Sequence, residues 1–187
     1  MTERKIGVWL VGAWGGVATT VVVGLTALKH RLTETVGLVS ELPPFADLDL
    51  AQWDEIVIGG HEIRETSYAA ESAQLHTQSH VFPDVWQSQL AEDLAAIDAR
   101  IRPGTLFRVG PTISALAGEQ ASRFREESAG AAVDRLAADI EDFRKENALD
   151  QVVVVDVSST EPPVEDAVKQ LTWQEIERQL ASRGDCP

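Results

Sequence analysis

Residues 6–20, IGVWLVGAWGGVATT, place an apolar run directly before a glycine-bearing turn and a hydroxyl-rich helix start. The run predicts a strand buried on both faces, and residues 19–29 supply apolar positions for a helix that packs on it. Glycines in such a turn let backbone amides approach phosphate oxygens, and the helix N-terminus adds partial positive charge. The segment is therefore typical of a turn that holds a dinucleotide pyrophosphate.

The glycine spacing departs from the usual G-x-G-x-x-G/A fingerprint. Trp14 occupies the second glycine position and Val17 the third. An ordinary strand-to-helix turn therefore remains an alternative. A P-loop is disfavoured, because Gly16 is followed by Val17, Ala18 and Thr19 rather than by a lysine and a hydroxyl residue.

Composition bounds the class of protein. The chain has 187 residues, 44% of them hydrophobic, which is enough for one substantial core. Its net charge of -14 disfavours nucleic acid and anionic membranes as partners. No apolar stretch reaches the roughly 18 residues of a membrane span, and the N-terminus lacks the form of a signal peptide. The single cysteine, Cys186, excludes an intramolecular disulfide, so we expect a soluble, cytoplasmic protein.

Histidines and carboxylates supply few candidate ligands. The spacing of His61, His76 and His80 matches no metal-ligand set, so no metal site is predicted. In a Rossmann unit the acidic residue that ends the second strand binds the ribose hydroxyls of the cofactor. Residues 35–40 predict a strand followed by Glu41, and residues 55–60 predict another strand followed shortly by Glu62. Either carboxylate is a candidate, with a plain surface role as the alternative.

The remaining segments alternate in the same way. Apolar spacing predicts helices over residues 84–101 and 130–147, and a short strand over residues 106–109. The almost uninterrupted apolar run at 152–157 predicts a strand at the centre of a parallel sheet. The hydroxyl residues after that strand would line one crevice with the glycine turn or simply cap a helix. The alternation predicts one α/β unit.

Five segments carry a family resemblance: GAWGGVATT, GLVSELPPF, IGGHEIR, DIEDFRKENALD and VVVVDVSSTEP. In this order they resemble the N-terminal part of the myo-inositol-1-phosphate synthase family, and SELPPF and GGHEIR are most similar to its archaeal and bacterial form. The resemblance implies a Rossmann-like, NAD(P)-binding α/β domain with a mostly parallel sheet over residues 1–187. It also implies that the chain stops before the catalytic and oligomerisation domain.

The resemblance further implies which residues contact NAD. In the family the glycine turn and the segment equivalent to SSTE line the cofactor site, and the acidic residue on the ribose lies in the motif that aligns with GGHEI. This places Glu62 ahead of Glu41. The other cofactor-binding residues implied are Gly12, Ala13, Trp14, Gly15, Gly16, Val17, Ser158, Ser159 and Thr160.

Members of the family convert glucose 6-phosphate to inositol phosphate through oxidation by NAD, enolisation, aldol ring closure and reduction. The resemblance implies a homo-tetramer and a divalent or monovalent cation in the full-length enzyme. The family's catalytic lysines and carboxylates lie in motifs beyond residue 187, so we expect this chain alone to be inactive and to self-associate through uncovered apolar surface. The alternatives are an NAD-dependent dehydrogenase of another family and a non-catalytic nucleotide-sensing module.

Overall fold

The computed structural model describes residues 4–158 and 171–181, and in these ranges it contains one parallel sheet. Its strands are β1 (Ile6–Val11), β2 (Ile56–Glu62), β3 (Ile101–Pro103) and β4 (Gln151–Asp156), in the spatial order β3-β2-β1-β4. Ile6 pairs with Ile56 on one side and with Gln151 on the other. The carboxyl ends of β1, β2 and β4 therefore lie at one edge of the sheet.

Helices connect the strands. They are α1 (Gly16–Lys29), α2 (Tyr68–Ser79), α3 (Asp84–Gln89), α4 (Ala91–Asp98), α5 (Pro111–Leu116), α6 (Glu119–Ser122), α7 (Ala129–Glu146) and α8 (Trp173–Ala181). Short 3-10 turns occupy Val39–Glu41, Pro43–Phe45 and Trp53–Glu55. In the described ranges no helix is both long enough and apolar enough to cross a membrane.

Side chains of β1 alternate between two apolar clusters, one on each face of the sheet. Trp9 packs with Phe143 of α7 and with Leu149 on one face. Leu10 belongs to the cluster on the other face, which α1, α2 and α4 help to form and whose buried members are Leu10, Ala13, Ala18, Val22, Val23, Ala27, Ile58, Tyr68, Phe82, Leu90 and Leu94. Helices thus cover both faces, and the turn between β1 and α1 lies at the carboxyl edge.

The structure confirms the α/β class and most predicted elements. β1, β2 and β4 coincide with the predicted strands to within two residues, and α7 ends beside Asn147 as predicted. The expected pair on that helix also forms, with Lys145 Nζ 3.3 Å from a carboxylate oxygen of Glu141. Helix α1 begins at Gly16, three residues before the predicted start.

The strand predicted over residues 35–40 is wrong. The amide of Leu38 donates to the carbonyl of Thr35 in a turn, Gly37 adopts a φ of +91°, and a 3-10 turn begins at Val39. This backbone offers no extended edge for pairing. Glu41 is consequently an exposed residue of that 3-10 turn, and the second strand of the chain is β2.

Two further predictions needed correction between residues 84 and 109. The predicted single helix is divided at Leu90, a buried residue with φ −103° and ψ 1°, and it ends at Asp98. The strand predicted over residues 106–109 is a turn, in which Arg108 adopts a left-handed φ of +51°. The strand of this region comes earlier, as β3.

The position predicted for β4 is also wrong for the described residues. β4 pairs with β1 alone and forms an edge of the sheet, whereas its sequence suggested a central strand. Val153, Val154 and Val155 are 41%, 51% and 38% exposed. Because successive residues of a strand face opposite sides, both faces of β4 present apolar surface.

Candidate functional site

The glycine turn is tied to the end of β2 by backbone hydrogen bonds. The amides of Gly12 and Ala13 both donate to the carbonyl of His61, at 3.0 and 3.1 Å. Gly12 has a φ of +83°, and a Cβ placed there would lie 2.9 Å from the Cα of Ser158. Only glycine fits these two conditions. The turn therefore lies where the ends of β1, β2 and β4 meet.

The N-terminus of α1 opens onto this edge without a cap. Gly15 occupies the N-cap position in an extended conformation, no side chain accepts from the first amides, and the first turn contains no acidic residue. In α2 and α7, by contrast, Ser67 and Ser128 accept from amides of the first turn. The first amides of a helix have no intrahelical acceptor and carry the positive end of its dipole. This end of α1 is suited to an anion such as a phosphate.

Glu62, the last residue of β2, has a side chain that is only 5% exposed. One carboxylate oxygen accepts from the Trp14 amide at 3.1 Å and from Arg64 Nη2 at 3.0 Å. The other accepts from the amides of Ile63 at 2.8 Å and Arg64 at 3.3 Å. The carboxylate thus joins the glycine turn to the chain that leaves β2. Its two oxygens use the four lone-pair directions that a carboxylate provides.

The side chain of Trp14 leads away from the turn to α4. Its Nε1 donates to Asp98 Oδ1 at 2.7 Å, and the same oxygen accepts from the amide of Tyr68 at 3.0 Å. Burial raises the pKa of Asp98, while these two hydrogen bonds oppose the rise. Sequence reasoning missed Asp98, because Trp14 and Asp98 are separated by 84 residues and no local pattern links them.

A cavity of about 240 Å³ adjoins the turn at the ends of β2 and β3. Its lining combines apolar side chains with two arginines and two glutamates, and comprises Trp14, Glu62, Ile63, Arg64, Glu65, Ile101, Arg102, Pro103, Gln120 and Ala121. A larger cavity of about 590 Å³ lies by the C-terminal end of α1 and the start of β2, at the opposite edge of the sheet. The smaller cavity lies at the carboxyl ends of the strands, which is where ligands bind in open α/β sheets.

A sequence model of a family of NAD-binding domains, described as myo-inositol-1-phosphate synthase, matches residues 6–185. This range covers the glycine turn, β2 and β4, and it amounts to nearly the whole chain. The chain belongs to the myo-inositol-1-phosphate synthase family. The cofactor of this domain is NAD, as the resemblance implied.

The chain is also similar to a curated relative in sequence and to two solved structures in fold. The curated inositol-3-phosphate synthase of Trypanosoma brucei brucei is 26% identical over 193 residues, which cover 86% of this chain and 34% of the relative. A solved inositol-3-phosphate synthase from Caenorhabditis elegans has a TM-score of 0.77 at 19% identity, and the match covers 98% of this chain and 40% of the nematode chain. A myo-inositol-1-phosphate synthase-related protein from Thermotoga maritima has a TM-score of 0.56 at 20% identity, with 96% and 40% covered. The chain thus spans between a third and two fifths of these relatives.

The residues that the synthase resemblance implies as NAD contacts form two groups, one made of the glycine turn with Glu62 and one made of the residues that follow β4. The turn residues Gly12, Ala13, Trp14, Gly15, Gly16 and Val17 and the carboxylate of Glu62 lie together, as the hydrogen bonds above require. Ser158 adjoins Gly12, and its amide and hydroxyl both donate to Asp156 Oδ1, at 2.9 and 2.7 Å. Ser159 and Thr160 lie outside the described residues.

His61 and His76 of this synthase-family chain both form hydrogen bonds within the chain. His61 accepts from Trp9 Nε1 at Nδ1, 3.0 Å away, and its Nε2 lies 3.0 Å from Asp139 Oδ2. Burial lowers the pKa of His61, and the neighbouring Asp139 partly offsets that effect. His76 bonds the carbonyl of Phe82 through Nδ1 at 2.6 Å. Within residues 4–158 and 171–181, no cluster of three or more histidine, cysteine or acidic side chains is arranged to hold a metal ion.

Proposed function

We propose that this chain forms the NAD-binding part of an enzyme that converts glucose 6-phosphate to myo-inositol phosphate. The observation that carries the proposal is the uncapped N-terminus of α1, placed by the glycine turn beside the buried carboxylate of Glu62. NAD, when bound, would supply the hydride acceptor for oxidation of the sugar phosphate and the hydride donor for the later reduction. The chain's own residues have the task of holding and orienting that cofactor.

The pyrophosphate contacts come from backbone amides. We assign them to the glycine turn and to the first turn of α1, where Gly16, Val17 and Ala18 contribute amides without intrahelical partners. Ser158, Ser159 and Thr160, which follow β4 in the sequence, are the other proposed contacts, and of these Ser158 adjoins Gly12 in the structure. Sequence family and local geometry both support this arrangement.

Glu62 is the proposed acceptor for the adenosine ribose. Arg64 Nη2 is the one side-chain donor among its four partners, and the other three are backbone amides. A ribose hydroxyl that replaced the guanidinium would leave the backbone bonds in place. The 240 Å³ cavity, which Glu62 and Arg64 both line, supplies a place for the adenosine end of NAD.

The catalytic acids, bases and lysines of the reaction are proposed to belong to the part of the relatives that this chain does not span. With that part we assign the complete enzyme a cytoplasmic location, a homo-tetrameric state and a divalent or monovalent cation. In this division the present chain contributes the cofactor domain, which we assign to residues 1–187, and no catalytic residue.

Gly15→Val tests the pyrophosphate assignment. A Cβ at Gly15 would lie 3.1 Å from the carbonyl oxygen of Gly12, and the branched side chain would stand beside the first amides of α1. We expect the NAD dissociation constant to rise about tenfold or more, the equivalent of one lost charge-assisted hydrogen bond. Calorimetric titration of NAD into both proteins measures the change.

Gly24→Val is the matched control for this substitution. Gly24 lies inside α1, and apart from its neighbours and the backbone of its own helix a Cβ there would meet no atom within 4 Å. NAD affinity should therefore match that of the unaltered chain. Equal affinities for the Gly15 and Gly24 variants would refute the assignment of the turn to the pyrophosphate.

A further inference from the structure

The side chain of Trp14 attaches the glycine turn to α4, whereas the backbone amides of Gly12, Ala13 and Trp14 bond to β2. The phosphate-binding fingerprint has glycine at this position, where a side chain would ordinarily compete with the ligand for space. Here the indole contacts α4 through the 2.7 Å hydrogen bond to Asp98, and it lines the cavity shared with Ile101 and Pro103 of β3. A large side chain at this position is thereby accommodated.

One carboxylate oxygen of Asp98 accepts two hydrogen bonds. Oδ1 accepts both the Trp14 indole and the amide of Tyr68, the first residue of α2. Asp98 is itself the last residue of α4, where a carboxylate opposes the helix dipole. The negative end of the α4 dipole therefore destabilises this half-buried carboxylate. The hydrogen bonds from its two donors stabilise it.

Within the described residues, the donors of the turn bond three acceptors on other elements. The amides of Gly12 and Ala13 bond the carbonyl of His61, and the amide of Trp14 bonds the carboxylate of Glu62. Both of these acceptors belong to β2. The bond from the Trp14 indole to Asp98 is the attachment to a different element, and it restrains the turn relative to α4.

We propose that Asp98 is a positioning residue for NAD binding, which acts through the Trp14 indole to hold the glycine turn and the first amides of α1 in their binding geometry. The proposal rests on the proposed function, because it assigns these amides to the pyrophosphate. Asp98 itself need not touch the cofactor. Its effect is transmitted through the indole hydrogen bond.

The experiment combines Asp98→Ala, Asp98→Asn and Trp14→Phe with their double variant, Trp14→Phe with Asp98→Ala, in the 187-residue chain. Calorimetry gives the NAD affinity, and hydrogen exchange of the Trp14 indole gives a readout that requires no cofactor. We expect Asp98→Ala and Trp14→Phe each to weaken NAD on the order of tenfold. Asparagine keeps an acceptor oxygen, so Asp98→Asn should retain most of the affinity.

The double variant should bind NAD no more weakly than the worse single variant, because both changes remove one interaction. Ser67→Ala is the matched control, since it removes the cap of α2 without touching Trp14 and should leave NAD affinity unchanged. Faster indole exchange in Asp98→Ala, with slow exchange kept in Asp98→Asn, supports the positioning role.

A purely structural role for Asp98 in starting α2 predicts a different pattern. Trp14→Phe would then bind NAD normally, while Ser67→Ala and Asp98→Ala would lose affinity together, and this outcome overturns the proposal. Unchanged indole exchange in Asp98→Ala would overturn it as well. Failure of the unaltered chain to bind NAD would instead count against the proposed function, and the exchange measurement would still test the contact between Trp14 and Asp98.

Discussion

Glu62→Gln should weaken NAD binding by about 1.5 to 3 kcal/mol, a factor of roughly 10 to 150 in the dissociation constant. The substitution removes the negative charge of the carboxylate that we propose to accept a hydrogen bond from the ribose. It also replaces one acceptor oxygen by an NH₂ group among four donors, from Trp14, Ile63 and Arg64. Each oxygen accepts from two of these donors, so the two that face the replaced oxygen lose their acceptor, and either the turn or the chain that leaves β2 should also be held less firmly. Calorimetric titration of NAD, with a urea unfolding curve for each protein, separates the two effects.

Glu41→Gln is the control for this prediction. Glu41 is exposed and belongs to a 3-10 turn that lies outside the sheet. Its substitution should change neither NAD affinity nor the free energy of unfolding by more than about 0.5 kcal/mol. If the Glu41 variant lost affinity and the Glu62 variant did not, the ribose assignment taken from the family would be wrong.

The 187-residue chain is expected to form no inositol phosphate from glucose 6-phosphate, even with saturating NAD. Enolisation and ring closure need a cationic or electrophilic group beside the developing oxyanion. Of the lysines, Lys29 donates to the carbonyl of Ile56 at the opposite edge of the sheet, at 2.6 Å, and Lys145 pairs with Glu141. Lys5 precedes β1, again at the amino edge, and Lys169 lies outside the described residues. None of the three described lysines lies at the carboxyl edge.

The assay compares the chain with a full-length relative such as the trypanosomal synthase, whose activity serves as the positive control. Sedimentation of the same samples tests the expected self-association. Val153, Val154 and Val155 expose apolar surface along β4, and an edge strand of this kind is prone to pair. Turnover by a monomeric 187-residue chain would contradict both expectations.

The first strand, the glycine turn and α1 were predictable from sequence because their information is local. An apolar run fixes β1, and the turn and helix follow within a few residues. The amphipathic spacing of α7 and the valines of β4 have the same local character. The strand that Glu62 ends was predictable for the same reason, but the rank of Glu62 above Glu41 came from the family resemblance, and its contact with the ribose stays a prediction.

The errors occur where tertiary context decides the outcome. Residues 35–40 have β-branched side chains, but Gly37 at positive φ and the following 3-10 turns prevent strand pairing. The apolar run of β4 predicted a central strand, yet its neighbours on the sheet are set by the fold as a whole. The bond between Trp14 and Asp98 joins residues 84 positions apart, so only the folded chain brings it into view.

The central claim is that the glycine turn and the N-terminus of α1 bind NAD, and backbone amide NMR tests it most directly. NAD is titrated into the ¹⁵N-labelled 187-residue chain, and the shift of each amide is followed. The account predicts the largest shifts at Gly15, Gly16, Val17 and Ala18, with smaller changes at the Trp14 indole. An absence of shifts in the turn, or shifts confined to the cavity around Lys29, Trp53 and Asp54, would contradict it.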